Sequence, residues 1–282
     1  MSSEPSDENS SEQPDPVASP VASPMASPMD CVLSSVQFLS RLPIPSSLAN
    51  HNKPDFENGS WSFPLAGMVI CLPALAIMIA AYLLGLNAEI IAVLTIITQA
   101  LTTGALHEDG LADIADGFGG GANREHKLEI MKDSSVGAFG AVALVLSFLM
   151  RFVLLSSLLD LSFFTAIAGF ITAQVISRSV QVWFWQSLPA AREDGLSSAF
   201  GTPSKQSAQT ALLIGGSSLL LPLIAGVSVF SLAISIALIV LLLVGFRKLC
   251  IDQIGGQTGD AIGAIQVLAE IAFLIGLLTF MP

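Results

Sequence analysis

The sequence predicts an all-α, polytopic membrane protein, and three observations carry that fold class. Of 282 residues, 52% are hydrophobic and only 12% are charged, about half the charged share of an ordinary soluble domain. Mean hydropathy is +0.73, and apolar runs of about 20 residues recur, each long enough to cross roughly 30 Å of hydrocarbon as a helix. A soluble globule with so little charge could not cover its own surface, which excludes the ordinary soluble enzyme classes. The net charge is −11, and no basic stripe is present to receive a nucleic acid.

Residues 1–29 are Ser/Pro-rich, with Glu4, Asp7, Glu8, Glu12 and Asp15 and no Lys or Arg. Such a segment buries too little apolar surface to offset its ordering entropy, so it reads as a disordered acidic tail dispensable for chemistry. It lacks the basic and apolar regions of a signal peptide. Residues 30–282 then form one membrane-embedded domain. Asp30 to Leu42 has helical apolar spacing but is too short to span, which suits an interfacial helix ending at Pro43 and Pro45.

Seven spans are expected near 64–84, 87–106, 136–159, 162–186, 209–227, 230–249 and 262–281. Alternation through them gathers the tail and the 107–135, 187–208 and 250–261 loops on one side. Arg41, Lys53, Arg124, Lys127, Lys132, Arg192, Lys205, Arg247 and Lys248 all lie on or beside that side. By the positive-inside rule it is cytoplasmic, making this an inner-membrane protein with its polar chemistry on the cytoplasmic face. Arg151 and Arg178 fall inside spans, where a guanidinium must be paired or face a wet cavity. An Arg151–Glu270 ion pair is one reading, and Arg178 could reach the polar face. Trp61, Trp183 and Trp185 sit near span ends as interfacial anchors, and His51 and His126 read as solvated. Cys31, Cys71 and Cys250 are too widely spaced for a metal or redox motif and read as packing residues.

The densest chemistry runs from His107 to Gly121. Asp109, Asp113 and Asp116 stand at i, i+4 and i+7, one stripe of a helix, with Glu108 beside them. Carboxylates so placed repel unless protons or a cation compensate them, and oxygen ligands favour Mg²⁺ or Mn²⁺ over Zn²⁺. A solvated acidic face is the plainer alternative, but the intervening Leu111, Ala112, Ile114 and Ala115 are apolar. Gly110 and Gly117 stand where a ligand could approach the backbone. Gly117 to Gly121, then Arg124 and Lys132, suit phosphate oxygens. Asp133 or Ser134 reads as the N-cap of the third span, with Lys132 facing an anion. Arg192 lies in a further polar loop, and Gly256, Thr258 and Asp260 form a Gly-rich turn able to approach a nucleotide or metal. Carboxylates for a metal beside groups for phosphate is the combination phosphoryl transfer requires.

Four motifs in order, His107-x-Asp-Gly-Leu-Ala-Asp-x-x-Asp-Gly, Ile130-Met-Lys-Asp-Ser, Arg192-Glu-Asp-Gly-Leu and Gly-Gly-x-Thr-Gly-Asp260, resemble the cobalamin synthase family of adenosylcobinamide-GDP ribazoletransferases. The similarity runs from Arg41 to Glu270. Ser135 departs from it, because Arg or His is expected after Lys-Asp-Ser. The resemblance implies an integral membrane enzyme that uses Mg²⁺ to join adenosylcobinamide-GDP with α-ribazole or its 5′-phosphate, releasing GMP. The acidic motif is also similar to that of the CDP-alcohol phosphotransferases. On this reading Asp109, Asp113 and Asp116, helped by Glu108 and Asp260, hold the metal, and His107 or an Asp of the cluster is the base. Gly117, Gly120, Arg124, Lys132, Asp133, Arg178, Arg192, Gly256 and Thr258 contact substrate. The lipid bilayer and the small-molecule substrates are the partners, with self-association or contact with other cobalamin-pathway enzymes left open. The rival classes are another Mg²⁺-dependent alcohol phosphotransferase, a transporter, and a membrane scaffold.

Overall fold

The computed structural model describes residues 27–45, 54–192, 195 and 200–280. Among them there is no strand, only an isolated parallel bridge between Ala190 and Gln257. The expectation of a disordered tail otherwise falls outside the described residues, but Pro28 and Met29 already belong to the first helix, α1 (Pro28–Leu39). Ser27 caps it reciprocally with Asp30, and Pro28 occupies the first turn, where its missing N–H costs nothing.

A first rod follows as α2 (Phe56–Gly59), a 3₁₀ turn at Ser60–Ser62, α3 (Phe63–Ile70) and α4 (Leu72–Leu83). Together these form a continuous apolar segment of 28 residues. Next come α5 (Ala88–Thr103), α6 (Leu106–Gly120), α7 (Arg124–Ile130), α8 (Ala138–Leu161) and α9 (Phe163–Ser187). The chain ends with α10 (Lys205–Ser218), α11 (Leu220–Ile224), α12 (Val229–Ile254) and α13 (Gly259–Leu278). Among the described residues six helices are long and apolar enough to span a membrane, and the α5/α6 pair, bent by 87°, makes up to seven.

That bend replaces the expected loop at 107–135. Gly104 and Ala105 both adopt left-handed backbone, at φ 65° and 57°, which ends α5 and restarts the chain as α6 in a new direction. At 16 residues, α5 is only about 24 Å long, shorter than the hydrocarbon it enters. The polar segment that follows is therefore helical rather than irregular.

Burial ranks the helices. The apolar windows of α9 and α13 are 78% and 72% buried, against 28% for α8 and 33% for α12. The first two form the centre, and the outer helices turn Val142, Val145, Leu241 and Val244 outward as a lipid-facing surface. Around the centre, α13 packs on α6, α12 and α9, while α9 also packs on α3 and α10. Small residues permit these contacts. A side chain at Gly276 would collide with the Ser235 backbone of α12, whereas one at Gly245 meets nothing within 4 Å.

This pair gives a stability test. Gly276→Leu should lower the thermal midpoint in detergent by several degrees, because overpacking costs about 1–3 kcal/mol. Gly245→Leu should leave the midpoint unchanged or raise it, since the site is open and leucine is the better helix former.

Candidate active site

The helical stripe expected of Asp109, Asp113 and Asp116 is present on α6, but its members differ in environment. Asp109 is exposed, Asp113 half-buried and Asp116 buried. Asp113 lies within electrostatic reach of Asp109, Asp116 and Asp260, so carboxylates from α6 and from the start of α13 share one face. Gly110 makes this convergence possible. A Cβ there would lie 2.7 Å from the Asp260 carbonyl oxygen, so only glycine lets α6 press against the α13 backbone. The ligand approach expected at Gly110 is thus taken by protein backbone. Gly117 likewise faces Met131, whose Cγ would lie 2.7 Å from an added Cβ, while Gly120 near the end of α6 is exposed.

Asp116 has a second employment. Its Oδ2 accepts from the Gly137 N–H at 2.7 Å and its Oδ1 from the Gly140 N–H at 2.9 Å. It therefore caps α8 from another helix, satisfying amides that have no partner within their own first turn. The N-cap residue of α8 is Gly137 rather than Asp133 or Ser134. Asp133 instead accepts from the Ser135 N–H at 3.0 Å, which holds its exposed carboxyl below the usual carboxylate range. Lys132 follows α7 on the surface.

The chain from Pro189 to Arg192 is tied to the Gly-rich turn. The Ala191 N–H donates to the Gln257 carbonyl at 2.8 Å and the Gln257 N–H to the Pro189 carbonyl at 2.9 Å, with Gly256 pressed against the Pro189–Ala191 backbone. Thr258 caps α13 by accepting from the Ala261 N–H. Arg192 Nη2 lies 3.6 Å from Asp260 Oδ2, an oxygen that is buried and accepts no hydrogen bond. Arg124 donates to the carbonyls of Ile254 at 2.8 Å and Ala191 at 2.6 Å, so it pins the end of α12 to this loop.

Below the carboxylate face lies a buried ionic network. Arg151 Nη1 donates to Glu108 Oε1 at 2.6 Å, and Arg151 Nε stands 3.7 Å from Glu270 Oε1. The expected Arg151–Glu270 pair is thus present and extended to Glu108, which turns towards Arg151. Arg178 is fully buried on α9 and donates to Gln174 Oε1 at 2.8 Å and to its carbonyl at 3.0 Å. Gln266 links Ser177 at 3.0 Å to Glu270 at 3.3 Å.

Two cavities meet at Asp109. One, of about 570 Å³, is lined by Arg41, Glu108, Ala112, Val136, Leu144 and Phe148 among others. The other, of about 150 Å³, contains His107, Gln181, Trp185 and Asp260 in its walls. Trp185 corrects a further expectation, since it is buried against Phe56 and Phe63 rather than anchored at the interface. His126 is exposed as expected, with Nδ1 accepting from the Ala122 N–H at 3.3 Å, and His51 lies outside the described residues.

The donor set suits a hard cation. Among the described residues no three His, Cys, Asp or Glu side chains are grouped closely enough to hold a metal ion as they stand. Asp109, Asp113 and Asp260 stand within electrostatic reach of one another, with Asp260 Oδ2 buried beside Arg192 and accepting no hydrogen bond. Open oxygen ligation completed by water and phosphate is how Mg²⁺ is usually held.

The chain is a polytopic helical membrane protein with several carboxylates gathered at one end of its bundle. The family model described as cobalamin-5-phosphate synthase (CobS) matches residues 31–278, and the chain belongs to that family. A relative from Azorhizobium caulinodans, named adenosylcobinamide-GDP ribazoletransferase, is 44% identical over 88% of this chain and 94% of its own. Relatives of the same name from Rhizobium meliloti and Brucella anthropi are 44% and 39% identical over 87% of this chain, covering 94% and 95% of theirs. No solved structure matches.

The ionic network yields the next test. Arg151→Met should destabilise the protein by about 3–5 kcal/mol in detergent unfolding, because Glu108 and Glu270 remain buried without their cation. Adding Glu108→Gln and Glu270→Gln to that variant should restore part of the loss. A triple variant no more stable than the single would show that the charges are not what Arg151 serves.

Proposed function

We propose that this chain catalyses the joining of adenosylcobinamide-GDP and α-ribazole, or α-ribazole 5′-phosphate, to give adenosylcobalamin or its 5′-phosphate and GMP, with Mg²⁺ as cofactor. The observation that carries the reading is the convergence of Asp109 and Asp113 on α6 with Asp260 on α13, beside two cavities, in a chain whose relatives bear that activity in their names. Bound there, Mg²⁺ would neutralise charge on pyrophosphate oxygens. Asp109, Asp113 and Asp260 are its holders in this proposal. Asp116 contributes chiefly by fixing α6 to the start of α8, and Glu108 by anchoring α6 to Arg151.

The reaction exchanges one phosphate ester linkage for another. A ribose hydroxyl of the ribazole attacks the phosphorus nearer the cobinamide, a new P–O bond forms, the pyrophosphate P–O bond breaks, and GMP departs. The hydroxyl proton must be taken up as the bond forms, and Asp109 or His107 is the candidate base, since both line the smaller cavity. Arg192 stands beside Asp260 and is the cation suited to an oxygen of the leaving phosphate. Arg124 acts structurally in this scheme, because its guanidinium donates to two backbone carbonyls, and so does Arg178, which is fully buried on α9 and donates through Nη1 to Gln174. The site faces the cytoplasm of the inner membrane in this proposal, supported by the basic residues that flank only that end of the bundle.

Purified protein given both substrates and Mg²⁺ should release GMP. Asp113→Asn should lower kcat by at least a hundredfold with an unchanged thermal midpoint, whereas Asp116→Asn should also cost about 1 kcal/mol of stability as the α8 cap weakens. Undiminished turnover of Asp113→Asn at limiting Mg²⁺ would remove the carboxylate face from the mechanism.

A further inference from the structure

The smaller cavity contains more than its two carboxylates require. Four aromatic rings, Phe38, Phe63, Trp185 and Phe200, stand in its wall. They form one cluster with Phe56, with Phe38 and Phe200 centroids 5.3 Å apart and Phe63 and Trp185 centroids 6.2 Å apart. The rings come from α1, α3, α9 and the segment before α10, so the tertiary fold rather than any one helix assembles them.

Polar atoms in the same wall are left without partners. Gln181 Oε1, Trp185 Nε1 and His107 Nε2 are buried and make no hydrogen bond, and their residues are 3%, 2% and 2% exposed. A buried polar group without a partner costs about 1–3 kcal/mol, so three lining one small apolar space mark a place where something else supplies the bonds. Gln181 and Trp185 are four residues apart on α9 and present an acceptor and a donor on the same helix face. Water alone would satisfy them, but water gains nothing from four aromatic faces.

On the reading that the chain is a ribazoletransferase, we infer that this aromatic cavity is the subsite for the flat heteroaromatic base of the ribazole substrate, with Trp185 Nε1–H donating to its unsubstituted ring nitrogen and Gln181 Oε1 accepting from a hydroxyl of the attached ribose. A cavity of about 150 Å³ is the size that admits a single small ring system, whereas a cobinamide could enter only the larger cleft. A guanine base presents several N–H donors along its edge, and the acceptors in this wall able to take them are chiefly Asp109 and Asp260, the carboxylates already assigned to the cation in this proposal. A benzimidazole presents one unsubstituted ring nitrogen, an acceptor matched by the indole N–H, and otherwise apolar edges and two stacking faces. Asp109 and Asp260 share this cavity's wall, so a base held here brings its attached ribose to the carboxylate face.

The test uses the full chain in nanodiscs. With wild-type enzyme, free 5,6-dimethylbenzimidazole should inhibit GMP release competitively against α-ribazole but not against adenosylcobinamide-GDP. Trp185→Leu and Phe63→Leu should each raise KM for α-ribazole roughly tenfold, the usual scale of losing a base-stacking face, while kcat and KM for adenosylcobinamide-GDP change less than threefold. Trp185→Phe, which keeps a ring and loses the N–H, should fall between. Competition against adenosylcobinamide-GDP, or variants that raise only that substrate's KM, would assign the cavity to guanine and overturn the inference. Unchanged KM for α-ribazole in both leucine variants would overturn it as well. Absence of GMP release from wild-type protein would instead sink the enzymatic reading, and equilibrium dialysis of α-ribazole against wild type and Trp185→Leu would still decide the cavity, with equal binding counting against it.

Discussion

Everything at the polar end of this protein depends on the close approach of α6 to α13 at Gly110. Backbone meets backbone there, and the contact sets the distance between the carboxylates of one helix and Asp260 of the other. Neither helix carries the acidic face alone. The left-handed pair Gly104–Ala105 delivers α6 to that contact by turning the chain sharply after a short α5. Asp116 then holds the far end of α6 to α8, and Glu108 holds the near end through Arg151.

The buried charges explain how so polar a helix sits against the apolar bundle. Glu108 and Glu270 are offset by Arg151 and Arg178, so the interior carries no formal net charge from these groups. An isolated charge at such depth costs several kcal/mol, and the pairing turns that cost into a constraint on which helices face each other. The carboxylates at the mouth have no such balance, with Arg192 the cation paired to Asp260. That excess of negative charge is what a divalent cation would offset.

Much of this was legible in the sequence because it is written in local patterns. Apolar length gave the spans, i, i+4 and i+7 spacing gave the acidic stripe, and the isolated Arg151 and Glu270 within apolar runs implied a pair. What could not be read depends on distant partners. The cap of α8 is supplied from residue 116, more than twenty positions upstream, so local cap chemistry at Asp133 and Ser134 pointed to the wrong residue. Trp185 resembled an interfacial anchor because its position near a span end was visible and its burial against Phe56 and Phe63 was not. The bend at Gly104 was hidden because a left-handed alanine has no sequence signature. Gly110 and Gly117 were recognisable as places of close approach, but whether ligand or protein does the approaching is a tertiary matter.

The central claim is that α6 and α13 contribute to one cation site rather than to two separate acidic surfaces. Mn²⁺ affinity, read by electron paramagnetic resonance in wild type, Asp113→Asn, Asp260→Asn and the double variant, tests it directly. Ligands of one ion are energetically coupled, so the double variant should bind Mn²⁺ little more weakly than the worse single variant. Losses that simply add, or an Asp260→Asn variant with wild-type affinity, would contradict a shared site.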